Sequence, residues 1–92
     1  MTKEAAESLA IQAVAFLAAD VERIAPFLAA TGIGPEAIRA AARQPDFLAG
    51  VLDYLAGDEA LLMAFAREAD IDPAAIEPAR VVLGGGGPRG RL

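Results

Sequence analysis

The sequence predicts an all-α fold, a compact bundle of about six short helices made by tandem duplication of a three-helix unit and followed by a disordered Gly/Arg tail. Three observations carry that prediction. Apolar residues recur three and four positions apart, as on one face of a helix. Strict alternation of apolar and polar residues is lacking, Val and Ile are scattered, and Thr occurs only at Thr2 and Thr31, so strands are not expected. Finally, sliding the chain against itself by 38 positions lays Val14–Ala42 on Leu52–Arg80 without a gap. Leu17, Asp20, Phe27, Ile33, Pro35 and Ile38 then meet identical residues at Leu55, Asp58, Phe65, Ile71, Pro73 and Ile76. Alanine matches are cheap in an alanine-rich chain, but Asp, Phe, Ile and Pro in one register are not.

The first helix is expected from about Lys3 to Ala19. Asp20 can cap a second, Val21 to Thr31, with Glu22 in the turn where the macrodipole favours an anion. Gly32 can end it in the left-handed conformation, and Gly34-Pro35 can open a third, Pro35 to Arg43. Gln44-Pro45-Asp46 breaks the chain, with Asp46 as the expected cap of a fourth helix from about Phe47 to Ala56. Asp58 caps a fifth running to about Ala69, Asp70 stands where the first copy has Gly32, and Asp72-Pro73 opens the sixth. Pro26 lies inside the second helix opposite Ala64 and deprives the Glu22 carbonyl of its donor, which predicts a local distortion or a later helix start.

The same spacing gives the expected core. Leu9, Ala13, Phe16 and Leu17 form one stripe, Val21, Ile24, Phe27 and Leu28 a second, and Ile38, Ala41 and Ala42 a third. Leu61, Leu62, Phe65 and Ala69, then Ile76 and Ala79, repeat the pattern. The fourth helix is apolar on nearly all sides, through Phe47, Leu48, Val51, Leu52, Tyr54 and Leu55, and belongs in the middle of the bundle or in a subunit interface, the middle being favoured. One domain over residues 1–83 with repeats at 14–42 and 52–80, then a flexible tail over 84–92, is the expected organisation. The run Leu9–Ala19 is as apolar as a signal segment, yet Glu4 and Glu7 precede it and its end, Phe16-Leu-Ala-Ala-Asp20, recurs as Tyr54-Leu-Ala-Gly-Asp58, so it is expected to be structural.

Composition excludes much chemistry. Without His or Cys there is no Ser-His triad, no thiolate and no ordinary zinc site. Ser8 and Lys3 are the single serine and lysine, both near the N-terminus, so no nucleophile-base pair is offered and an enzyme is not expected. Asp20, Asp46, Asp58 and Asp72 all precede helices, and capping accounts for them. Asp70-Ile71-Asp72 begins like a calcium loop but has Ala75 for the glycine and Val81 for the bidentate Glu. GGGGPRG is followed by no Lys-Ser/Thr pair. No cofactor, metal or membrane partner is therefore expected. The net charge of −5, which becomes −7 once Arg89 and Arg91 are set aside, fits a cytoplasmic protein and disfavours nucleic acid.

Two surfaces remain. Ile11, Val14, Ala15 and Ala18 occupy the side of the first helix opposite its core stripe, and Met63 is similarly off-face in the fifth. Apolar residues so placed are the expected contact for a protein partner or a second copy. Alternatively, Leu28 to Arg39 has the glycine and apolar spacing of a helix-turn-helix, with Arg39 and Arg43 as candidate nucleic-acid contacts on the Pro35–Arg43 helix. Glu36 at its start and Glu77 opposite Arg39 speak against that use.

The order Phe16-Leu17-Ala18-x-Asp20, Phe27-Leu28-Ala29-x-Thr31-Gly32-Ile33-x-Pro35, Asp46-Phe47-Leu48-x-x-Val51-Leu52-Asp53 and Asp58-Glu59-x-Leu61-Leu62-x-x-Phe65 resembles a small bacterial family known as domain of unknown function 3572. The resemblance spans about Leu9 to Leu83. It implies a compact bacterial helical protein, and it brings with it no catalytic residue, ligand or partner.

Overall fold

The computed structural model describes residues 1–84. Six α-helices and two 3-10 turns make up the fold, and no strand occurs among the described residues. The helices are α1 (Lys3–Ala18), α2 (Val21–Thr31), α3 (Ile38–Ala41), α4 (Pro45–Ala56), α5 (Glu59–Ala69) and α6 (Ile76–Leu83), with the 3-10 turns Pro35–Ala37 before α3 and Pro73–Ala75 before α6. The predicted tail lies almost wholly outside the described residues, only Gly84 falling within them.

The 38-residue offset reappears in the geometry. The ranges of α2 and α5 differ by that interval at both ends, as do those of the two 3-10 turns. Asp20 accepts a hydrogen bond from the Glu22 amide at 2.9 Å and Asp58 from the Leu61 amide at 3.1 Å, so each relieves an orphan donor of the helix it precedes. Gly32 at φ 75° and Asp70 at φ 57° both close their helices in the left-handed region. At the first of these turns Thr31 Oγ1 accepts from the Ile33 amide, whereas at the second the Ile71 amide donates back to the Ala66 carbonyl.

The aromatic residues cross between the copies. Phe16 of α1 packs on Phe65 of α5, centroids 5.3 Å apart, and their counterparts Tyr54 of α4 and Phe27 of α2 pack at 5.1 Å. Through these rings each leading helix touches the second helix of the other copy. Around these pairs α1, α4 and α6 pack against one another, burying Ala6, Leu9, Ala13 and Leu17 with Leu48, Val51, Leu52 and Leu55 and with Ile76, Ala79 and Leu83. The fourth helix is central as expected, but it shares the centre with α1 and α6.

Four expectations need correction. The later start allowed for Pro26 does not occur, since α2 runs unbroken through this exposed proline and begins, like α5, directly after its Asp cap. The fourth helix starts at Pro45, with Gln44 as its extended N-cap residue, and Asp46 serves in the first turn as an anion near the dipole rather than as cap. Val21 is 73% exposed, since the first residue of α2 sits at a corner and points away from the core. The third helix, expected over Pro35–Arg43, is a 3-10 turn and a four-residue α3, and none of Ile38, Ala41 and Ala42 is fully buried.

Pro45 explains the last point. A residue before proline is driven out of the helical region, and Gln44 accordingly lies at φ −96°, ψ 123°. The chain turns through Arg43 and Gln44, whose amides bond to the Ala40 and Ala41 carbonyls, and α3 ends. In the second copy the position of Pro45 is taken by Leu83, so α6 runs for eight residues and lays Ile76, Ala79 and Leu83 into the core.

Candidate functional site

Because α3 is short, it stands off from α1 and leaves an open groove of about 430 Å³. Val14 and Ala18 of α1 form one wall, Ile24 and Leu28 of α2 the floor, and Pro35, Ile38, Arg39 and Ala42 the other wall. Val14, Ile24, Leu28 and Ala42 touch the buried core from their inner sides, whereas Ile38 is partly buried without joining it.

The second copy shows what the same positions do when they close. Val14, Leu28 and Ile38 correspond to Leu52, Ala66 and Ile76, which retain only 0%, 5% and 2% exposure. Leucine in place of Val14 also fills more of the space, and α6 lies directly on α4. At the rim, Arg39 corresponds to Glu77, and Ala42 to Arg80. Arg80 donates to Glu77 and lies 3.9 Å from Asp53, and the bond to Glu77 together with its charge pushes the Arg80 pKa up. Arg39 and Arg43 are both exposed, and among the described residues neither guanidinium takes part in an ion pair.

The five residues predicted for a partner face are divided by the structure. Val14 and Ala18 line this groove. Ala15 faces a second, shallower depression of about 300 Å³ between α1 and α5, floored by Phe16 and Phe65 and edged by Gln12 and Glu68. Its rim is held by Arg23, whose guanidinium lies 4.1 Å over the Phe16 ring and bonds Glu68 at 3.0 Å, the ring face attracting the cation while the carboxylate neutralises it. Ile11 is 50% exposed on α1, one turn N-terminal to Val14 and Ala15. Met63, 41% exposed on α5, lines neither depression.

Ile24, Leu28, Pro35, Ile38 and Ala42 complete the groove, although helical spacing assigns four of them to the core. The signal that separates them is the pairing of Pro45 with Leu83 at the 38-residue offset, which shortens only the first copy's last helix. For the helix-turn-helix alternative, the left-handed Gly32 turn is present, but α3 offers a single α-helical turn in place of a recognition helix.

The chemistry available is that of apolar contact with charged edges. Among the described residues no polar or charged side chain is buried, and no group of three or more acidic side chains is placed to hold a metal. None of the described helices is long and apolar enough to cross a membrane. Fold and groove together define a small all-helical domain with an apolar cleft on one side. A family model described as "Protein of unknown function (DUF3572)" matches residues 3–86, and the chain belongs to that family. No curated protein and no solved structure matches it.

Proposed function

We propose that this chain is a non-enzymatic interaction module that binds another protein, or a second copy of itself, through the outer side of α1 and the groove beside it. The observation that carries the reading is the groove itself, lined by Val14, Leu28 and Ile38 where the second copy buries Leu52, Ala66 and Ile76. An apolar surface left open by one of two matched units is not needed for folding, and such surfaces commonly mark contacts. The acidic charge fits a cytoplasmic place of action. A DNA-reading role for Arg39 and Arg43 draws less support, given one helical turn on an acidic chain.

The test uses Ile11→Lys, at an exposed position, and Val14→Glu, at a partly buried one on the groove wall, in tagged protein recovered from its native cells and in light scattering across a wide concentration range. Loss of a bound protein, or of a dimer, in both variants with unchanged circular dichroism is the expected result. A strict monomer whose captured proteins are indifferent to both substitutions would refute the reading.

A further inference from the structure

We infer that the occupant of the α1–α2–α3 groove is an acidic amphipathic helix of a partner protein, an inference that rests on the interaction reading above. Shape and charge both enter. The groove is open along one side and walled by Val14, Ile24, Leu28 and Ile38, which suits a row of apolar side chains spaced three and four apart on a helix. The second copy supplies an internal precedent, since α6 offers Ile76, Ala79 and Leu83 at that spacing to α1 and α4.

Charge fixes the class of partner. Arg39 lines the groove, Arg43 follows four residues later, and among the described residues neither guanidinium takes part in an ion pair. On a chain with 13 acidic and 8 basic residues, the one charged side chain among the residues lining the groove is the cation Arg39. Where the second copy closes, the rim carries its own ion pair, Glu77 with Arg80. In the first copy Arg39 stands at the rim with no such pair among the described residues, and carboxylates flanking the apolar stripe of an incoming helix would supply one. A second copy of this chain brings mostly like-signed acidic surface to the rest of the face, which makes it the weaker occupant.

A display library of random helical peptides about four turns long, selected against the intact protein, tests this. The expected outcome is enrichment of peptides with an apolar stripe flanked by Asp or Glu. Their binding should be abolished by Val14→Glu and weakened about tenfold by Arg39→Glu with Arg43→Glu, with a loss on added salt that the double variant no longer shows. Both arginines are exposed, so the double variant should retain the native fold, which its thermal transition checks. Val14-dependent peptides without acidic bias would overturn the acidic occupant and leave the interaction reading standing. Peptides indifferent to Val14→Glu, or no enrichment, would overturn the proposal, and a dimer broken by Val14→Glu would assign the groove to a second copy instead.

Discussion

Ile38 and Ile76 occupy equivalent places in the two copies, and truncating each to alanine should give different costs. Ile76 is 2% exposed within the core formed by α1, α4 and α6. Removing three carbons there forfeits about 2.4 kcal/mol of transfer free energy and leaves an enclosed cavity, for a total of about 3–4 kcal/mol. Ile38 lines an open groove and does not join the core, so no enclosed cavity forms and the loss is about 1 kcal/mol. The gain in helix propensity from alanine is common to both and cancels. The difference of about 2 kcal/mol is roughly a 30-fold ratio of folding constants. In a domain of this size it separates the midpoints of thermal unfolding by about 8–16 °C. Urea unfolding followed by far-UV circular dichroism measures both, with equal m-values confirming that the unfolded states are comparable. Costs within about 0.5 kcal/mol of each other would refute the claim that the first copy is open where the second is shut.

Two further contrasts use the same internal comparison. Asp70→Gly should raise stability by about 0.5 kcal/mol, since an L-residue at positive φ is strained, while Gly32→Ala should lower it by about 1 kcal/mol, and thermal melts should show the opposite signs. Phe27→Leu should cost about 0.5–1.5 kcal/mol more than Phe65→Leu, because Phe27 meets Phe47 and Tyr54 edge-on whereas Phe65 meets only Phe16 among the described rings; equal losses in chemical denaturation would count against the aromatic pairs.

Local chemistry made most of this fold legible. Asp20 and Asp58, Gly32 and Asp70, Pro35 and Pro73 each act within a few residues of themselves, through a side-chain cap, a left-handed backbone or a fixed φ. Their register therefore survives translation from sequence to structure. The stripe on α1 was legible for the same reason, and Ala6 and Ala10 extend it at the same spacing. Val21 and Asp46 were misplaced because a helix end admits neighbouring solutions: α4 starts at Pro45 after an extended Gln44, with no side-chain cap.

The candidate site was only half legible. Ile11, Val14, Ala15 and Ala18 emerge from periodicity as a surplus apolar side, but periodicity says nothing about what lies opposite them. Thus the sequence by itself determined six helices, the caps and left-handed ends of α2 and α5, and their matched offset, all of them consequences of interactions within one or two turns. Only the tertiary structure decided that identical isoleucines would part company, Ile76 into the core and Ile38 onto a groove wall. The physical reason is that burial depends on a distant partner surface: α6 is long enough to lie across α1 and α4, while Pro45 ends α3 before it can close on α1.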